Sequence, residues 1–318
     1  MVMKLLFLLL FLLTYPVCQA EEIQTPFVPP QGKILLLVGQ DRDTIAHYVS
    51  GIRLIPAGTM AYTSLENIEG LESSSDYGSG PEDLNALVKR YPDSVIQIGL
   101  YLVGELEGVL DGSYDDHLKV LSRCLKNTQR PVYLRIGYEF DNPDNHYDPE
   151  SYKKAFRYIV DHLRKDGVHN VAYVWHSTCS VLKPGQNWMD WYPGDLYVDW
   201  FGASMFAMPD QLWTAPGFVK LARDHKKPFM ICESSPWGMY SMRAKTEWFR
   251  HIFQFIKEQQ VQAFCYINSN WDAMPMYKGQ GIGDQRVEAY SSIKKLWLIE
   301  ITQDRYLKAS KDLFKLLK

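Results

Sequence analysis

Eight short apolar runs, most of them followed by a segment with helical character, constrain the fold of this chain more than any other feature. Buried parallel strands have continuous apolar sequences because both faces of their sheet are covered. The runs predict strands over Lys33–Gly39, Leu54–Met60, Val95–Val103, Val132–Phe140, Val171–Ser177, Val198–Ser204, Phe229–Ser234 and Ala263–Asn268. Eight consecutive strand–helix units close most simply into a single (β/α)8 barrel, the TIM barrel, which belongs to the α/β class.

The helical segments between these runs support the same arrangement. They are predicted over Pro81–Tyr91, Asp115–Asn127, Pro149–Asp166, Pro216–His225 and Ala244–Gln259. Pro149–Asp166 is the clearest, because Asp148 can cap its first turn and Gly167 follows its last turn. An open doubly wound sheet is the alternative, but no glycine-rich nucleotide-binding motif follows any of the runs.

The first twenty residues have the pattern of a secretion signal. Lys4 supplies the positive charge, Leu5–Leu13 is apolar throughout, and Cys18-Gln-Ala20 offers a cleavage site with small residues. The apolar run is too short to span a bilayer. A lipoprotein signal that ends at Cys18 is the alternative. We therefore expect a secreted, extracellular protein in which residues 21–318 form one catalytic domain, with no membrane span after the signal is removed.

Charge and cysteine content exclude several classes of partner. The net charge of −3 does not favour nucleic acid. Cys124, Cys179, Cys232 and Cys265 are scattered and lack metal-ligand spacing, so we expect no metal. Cys232 and Cys265 fall in adjacent predicted strands, which leaves both a single disulfide and free buried thiols open. No organic cofactor is expected either, and the chain is expected to be a monomer.

Two glutamates end two of the predicted strands. Glu139 precedes the loop Asp141–Asn145, and Glu233 ends the seventh run. Carboxylates at the C-terminal ends of barrel strands are typical of catalytic residues, and a pair of them is what a retaining glycosidase uses. The period of two along a strand predicts that Arg135, Gly137 and Glu139 face the barrel interior together. A purely structural Arg–Glu pair is the alternative.

Aromatic side chains and a histidine are predicted at the ends of strands 5 to 8. Sugars stack on aromatic rings, although aromatic rings also fill protein cores. The sequence therefore predicts a carbohydrate groove, and Arg135 and Tyr138 are expected to contribute to it. His176 has no second metal ligand at suitable spacing, which favours a hydrogen-bonding role. The other expected substrate-binding residues are Trp175, His176, Phe206, Trp237 and Trp271.

Four segments of the chain resemble glycoside hydrolase family 26, a family of the retaining glycosidase clan A. The stretch Trp191-Tyr-Pro-Gly-Asp-Leu-Tyr-Val-Asp199 is the most specific of them. The others are Pro131–Arg135 with Glu139–Asp141, the helix and strand from Tyr152 to Trp175, and His225–Glu233. Together they span the predicted strands 4 to 7. The resemblance implies that Glu139 is the acid/base and Glu233 the nucleophile.

The resemblance also implies a polysaccharide or oligosaccharide substrate. In this family the substrate is most often β-mannan, and the enzyme cleaves internal linkages (endo action). A β-glucan or β-xylan hydrolase, a transglycosylase and a non-catalytic carbohydrate-binding barrel are the alternatives. The chain departs from the family at two positions. Tyr138 stands where the family usually has histidine. Phe206 stands where it usually has a tyrosine that binds the nucleophile, a role that Arg135 or Tyr266 could take over.

Overall fold

The computed structural model describes residues 25–206 and 210–317, so the predicted signal over residues 1–20 lies outside the described residues. Eight parallel strands, labelled β1 to β8, form the barrel. They are β1 (Ile34–Gly39), β2 (Gly58–Ser64), β3 (Val95–Tyr101), β4 (Val132–Ile136), β5 (Val171–Ser177), β6 (Trp200–Met205), β7 (Phe229–Ser234) and β8 (Ala263–Ile267). Each strand pairs with the next, and β8 pairs with β1 in parallel register. This closure confirms the predicted TIM barrel.

Helices surround the barrel. They are α1 (Arg42–Ile52), α2 (Leu84–Arg90), α3 (Leu106–Leu110), α4 (Asp115–Asn127), α5 (Pro149–Lys165), α6 (Asp210–Asp224), α7 (Met242–Glu258), α8 (Ser291–Ile301) and α9 (Leu313–Leu316). The prediction for α4 is confirmed at both ends, and that for α5 to within one residue. Among the helices of the described residues, none is long and apolar enough to cross a membrane.

Three helix starts differ from the prediction, and one of them, that of α7 at Met242, lies only two residues before the predicted Ala244. Helix α6 begins at Asp210, and Pro216 lies inside it and not at its first turn, although an interior proline removes one backbone hydrogen bond. Helix α2 begins at Leu84 because Pro81–Glu82 pairs instead with Ser75–Asp76 in a short antiparallel hairpin. This hairpin follows β2 and helps to form the rim of the barrel mouth.

Strand β1 shows how the sequence builds two cores. Leu35 and Leu37 pack inside the barrel, whereas Leu36 and Val38 pack between the barrel and the helices. This alternation follows from the period of two in a strand. Both faces are apolar because both are covered, which explains why the sequence shows continuous runs.

The N-terminal end of the barrel is closed by two segments, one around Pro26 and the other around Leu313. The backbone oxygens of Pro26 and Phe27 accept hydrogen bonds from Trp200 Nε1 at 2.9 Å and from the Tyr133 hydroxyl at 2.7 Å. Leu313 and Leu317 join the inner core from the C-terminal side. Closure at this end leaves the C-terminal ends of the strands as the open mouth.

Of the two possibilities left open for the cysteines, the structure has free thiols, since Cys124, Cys179, Cys232 and Cys265 are unpaired and buried.

Candidate active site

A cavity of about 750 Å³ lies at the C-terminal ends of the strands. Glu139 and Glu233 both line it. Its walls are rich in aromatic residues, which are Tyr62, Tyr77, Tyr101, Tyr138, Phe206, Trp237, Trp271 and Tyr277. A concave site that combines aromatic walls with two converging carboxyl groups is suited to a carbohydrate.

Glu139 reaches this cavity from a turn and not from a strand. Strand β4 ends at Ile136, and Gly137 and Glu139 both have φ of +53°. The prediction that Arg135, Gly137 and Glu139 face the interior by simple alternation is therefore wrong beyond the strand end. A left-handed conformation is unusual for glutamate and marks a position where the backbone is held to aim a side chain.

Glu233 is aimed by an irregularity in strand β7. Ala203 pairs with Ile231, but Ser204 pairs with Glu233, so Cys232 is an extra residue in β7. Met230 and Cys232 face the inner core and Ile231 faces the helices, so unbroken alternation would turn Glu233 toward the helix layer. The extra residue re-aims the carboxylate, as bulges beside active sites often do.

Two side chains hold the carboxylate of Glu233. The Tyr62 hydroxyl donates to Glu233 Oε1 at 2.8 Å, and Arg135 Nη1 donates to the same oxygen in a short buried ion pair. The Arg135 guanidinium lies 5.0 Å from the ring centroid of Tyr62 and 5.1 Å from that of Tyr138. Burial and the negative charge of Glu233 raise the pKa of Tyr62 well above its usual value. The hydroxyl therefore keeps the proton that it donates.

Glu139 has different surroundings. Ser204 Oγ donates to its Oε1 at 2.6 Å, and Asn142 Nδ2 donates to its Oε2 at 3.2 Å. No cation pairs with Glu139 among the ion pairs of the described residues. Burial and, after it, the charge of Glu233 raise the pKa of Glu139 to about 7. A carboxyl group in this state can donate a proton near neutral pH.

His176 lies behind the cavity wall and connects these two surroundings. Its Nε2 is 3.0 Å from Ser204 Oγ, and its Nδ1 is 3.3 Å from Arg135 Nη1. Both His176 and Arg135 are fully buried. The expectation that they contact substrate is therefore not met, and their contacts place them as supports of the two glutamates.

The remaining predicted substrate-binding residues divide between the cavity and the core. Tyr138, Phe206, Trp237 and Trp271 line the cavity. Trp175 does not: it is 0% exposed, and its ring stacks on Phe140 with centroids 4.4 Å apart. The prediction for Trp175 is wrong, because its side chain points outward from β5 into the layer beneath the helices.

Tyr62 and Ser204 are functional candidates that sequence reasoning missed. The predicted second strand ended at Met60, whereas β2 continues to Ser64 and carries Tyr62 to the barrel mouth. The polar residues after Met60 concealed this extension. Tyr266, which was considered as a partner of Glu233, donates instead to the backbone oxygen of Gln285 at 2.6 Å.

Residues 25–206 and 210–317 contain no group of three or more His, Cys, Asp or Glu side chains placed to hold a metal ion.

Comparison with known proteins points to the same chemistry. The sequence profile of glycosyl hydrolase family 26 matches residues 112–232. A β-1,3-xylanase, TXYA, from Vibrio sp. is 36% identical, and the alignment covers 93% of this chain and 70% of that protein. A β-1,3-xylanase from Alcaligenes sp. is 33% identical over 93% of this chain and 69% of that protein.

Solved structures share the fold at lower sequence identity. The family 26 β-mannanase BoMan26A from Bacteroides ovatus has a TM-score of 0.68 and 14% identity, covering 90% of this chain and 93% of its own. An endo-β-1,4-mannanase from Cellulomonas fimi has a TM-score of 0.64 and 16% identity over 89% of this chain and 74% of its own. The similarity to the two xylanases covers 93% of this chain, so it extends well beyond the residues that the profile matches. This chain therefore belongs to glycosyl hydrolase family 26 and is a glycoside hydrolase.

Proposed function

We propose that the protein hydrolyses internal β-1,3 linkages of a xylan by double displacement, with Glu233 as nucleophile and Glu139 as acid/base. One observation carries this proposal: two carboxyl groups share a cavity but differ in their surroundings. Glu233 is held by the Arg135 cation and the Tyr62 hydroxyl. Glu139 is half-buried without a cation partner among the described residues, and its pKa is raised to about 7. In such a pair, the ionised carboxyl group acts as the nucleophile and the protonated one as the acid.

In the first step, a Glu233 oxygen attacks the anomeric carbon of the bound sugar. The bond from this carbon to the glycosidic oxygen breaks, and Glu139 gives its proton to that oxygen. The leaving chain departs with a free hydroxyl group, and the sugar remains as an ester of Glu233. Arg135 and Tyr62 orient the attacking carboxylate through hydrogen bonds to its Oε1.

In the second step, the ionised Glu139 takes a proton from water, and the water oxygen attacks the anomeric carbon. The ester bond breaks and returns Glu233 to its ionised form. Two inversions at the same carbon give net retention of configuration. Retention requires the two carboxyl groups to lie roughly 5–5.5 Å apart.

Similarity to the two β-1,3-xylanases supports β-xylan as the substrate, in preference to the β-mannan that the sequence first suggested. The mannanases are related in fold at 14–16% identity, which is too distant to carry substrate preference. Exposed aromatic side chains in the cavity wall suit a polymer: Tyr77, Tyr101 and Trp237 are 40%, 40% and 38% exposed. Action outside the cell belongs to the same proposal, because a polymeric substrate must be cut before it is taken up.

Product release from β-1,3-xylan, β-1,4-xylan, β-mannan and mixed-linkage β-glucan tests the proposal. We expect oligosaccharides from β-1,3-xylan only, and their absence with Glu233→Ala and Glu139→Gln. Glu107→Gln is the matched control and should leave release unchanged, because Glu107 is an exposed glutamate on α3 that does not line the cavity. Release of oligosaccharides from β-mannan alone would contradict the proposed substrate. Undiminished release by Glu233→Ala would contradict the proposed mechanism.

A further inference from the structure

We infer that Arg135, His176 and Ser204 form a one-directional hydrogen-bond chain that determines which oxygen of Glu139 carries the acid proton. The inference rests on the proposed function, since it assigns the atom that protonates the leaving group. It makes Ser204 and His176 positioning residues for the acid/base. Oε2 of Glu139, and not Oε1, is then the atom that donates to the glycosidic oxygen.

The direction of the chain follows from the donors available. Arginine has no acceptor, so at the 3.3 Å contact His176 Nδ1 must accept from Arg135 Nη1. A neutral imidazole that accepts at Nδ1 carries its proton on Nε2. His176 Nε2 therefore donates to Ser204 Oγ at 3.0 Å. The Ser204 hydroxyl hydrogen is left to point at Glu139 Oε1, which lies 2.6 Å away.

His176 stays neutral in this setting, so the direction does not reverse with pH. It is fully buried, and it contacts the permanently charged Arg135. Burial, together with the nearby positive charge, lowers the pKa of His176 well below its usual value. The hydrogen-bond geometry alone already determines the tautomer of His176. The low pKa keeps His176 in this neutral tautomer across the pH range in which the enzyme works.

The chain disfavours a proton on Oε1 of Glu139. If Oε1 carried the proton and donated it to Ser204, the Ser204 hydrogen would need another acceptor. Within residues 25–206 and 210–317, Ser204 Oγ hydrogen-bonds only to His176 and Glu139. Protonation at Oε1 would therefore leave a buried hydroxyl hydrogen unsatisfied, which is unfavourable. Oε2 has only the longer 3.2 Å contact with Asn142 and remains free to carry the proton.

Two pairs of variants test the chain. Ser204→Ala removes the hydroxyl, whereas Ser204→Thr keeps it. His176→Leu removes both hydrogen-bonding nitrogens, whereas His176→Gln keeps one acceptor and one donor. Ser94→Ala is the matched control, because Ser94 is a buried serine whose hydroxyl donates to the backbone oxygen of Pro56 at 2.8 Å, at the N-terminal end of β3.

Two readouts separate positioning from a merely structural effect. The first is a 13C NMR titration of the Glu139 carboxyl carbon in protein labelled at the glutamate side-chain carboxyl group, assigned with Glu139→Gln. The second compares a xylo-oligosaccharide, whose leaving group must be protonated, with a 2,4-dinitrophenyl β-xyloside, whose leaving group need not be.

We expect Ser204→Ala and His176→Leu to raise the pKa of Glu139, because the ionised carboxylate loses a donor. We also expect these two variants to slow hydrolysis of the oligosaccharide about tenfold more than hydrolysis of the dinitrophenyl substrate. Ser204→Thr and His176→Gln should restore both properties, and Ser94→Ala should change neither. An unchanged pKa of Glu139, or equal slowing of both substrates by Ser204→Ala, would overturn the inference. A wild-type enzyme that cleaves no xylan would overturn the proposed function instead, and the NMR titration would still test the chain.

Discussion

The Tyr62 hydroxyl donates a hydrogen bond of 2.8 Å to Oε1 of Glu233. Tyr62 lies on β2, whereas Glu233 lies on β7, so the contact crosses the mouth of the barrel. It supplies the hydroxyl that the resemblance to family 26 assigns to the position of Phe206. Phe206 instead contributes its ring to the cavity wall, where it packs edge-on against Trp237 with centroids 5.3 Å apart.

Removal of the Tyr62 hydroxyl should slow catalysis without weakening substrate binding. We expect Tyr62→Phe to lower kcat about 10- to 100-fold, because the attacking carboxylate loses one of its two orienting donors. KM should change little, and steady-state kinetics on a xylo-oligosaccharide measures both. Tyr133→Phe is the control, since that buried tyrosine donates to Phe27 at the closed end of the barrel. An unchanged kcat for Tyr62→Phe would show that Arg135 alone orients Glu233.

Gly99 on β3 makes room for the stack of Tyr62 on Arg135. A Cβ at this position would lie 2.6 Å from Tyr62 Cδ1 and 2.8 Å from Arg135 Nη2. We expect Gly99→Ala to lower the free energy of unfolding by about 1–3 kcal/mol and to reduce kcat as well. Urea unfolding and initial rates check the two effects.

Gly217→Ala provides the matched control for this substitution. Gly217 lies inside helix α6, where a Cβ would meet, among the residues that the structure describes, only Trp188 at 3.6 Å. Alanine is favoured over glycine within a helix, so this variant should be equally or more stable than the wild type. If Gly99→Ala were as active and as stable as Gly217→Ala, the stack of Tyr62 on Arg135 would not be tightly packed.

The pH dependence of the reaction should report Glu139. Its pKa is raised to about 7, by burial first and by the charge of Glu233 second. The first chemical step requires protonated Glu139, so kcat/KM should fall as pH rises through about 7. A dinitrophenyl substrate, whose departure needs no proton, should lose this alkaline decline. An alkaline decline that is identical for both substrates would assign it to another group.

Two tryptophans that look equivalent in sequence should respond oppositely to substitution. Trp237 is 38% exposed in the cavity wall, so Trp237→Ala should raise KM for xylo-oligosaccharides about tenfold and leave stability nearly unchanged. Trp175 is fully buried, so Trp175→Phe should lower the free energy of unfolding by about 2 kcal/mol and leave KM nearly unchanged. A large change in KM for Trp175→Phe would show that Trp175 contributes to substrate binding after all.

The barrel and the two glutamates could be predicted from sequence because each has a strong local signal. Eight apolar runs with helical segments between them specify eight strands covered on both faces. Glu139 and Glu233 each lie at the end of such a run, and a barrel brings the C-terminal ends of its strands together. The pairing of β8 with β1 then places both carboxyl groups at one mouth.

The direction of individual side chains could not be predicted in the same way. A strand that is apolar on both faces has no alternation to show which residues point inward, so Trp175 could not be distinguished from a cavity residue. The extra residue at Cys232 and the left-handed conformation of Glu139 depend on pairing with neighbouring strands and on the following loop. Tyr62 was missed because the polar end of β2 does not resemble a buried strand.

The stereochemistry of the first product tests the central claim most directly. Proton NMR can follow the anomeric signals of a reducing end released from β-1,3-xylan in the first minutes of reaction. If Glu233 forms a covalent intermediate that Glu139 helps water to resolve, the β-anomer appears first, and the α-anomer grows in only through mutarotation. Appearance of the α-anomer first would show a single inversion and would contradict the role of Glu233 as nucleophile.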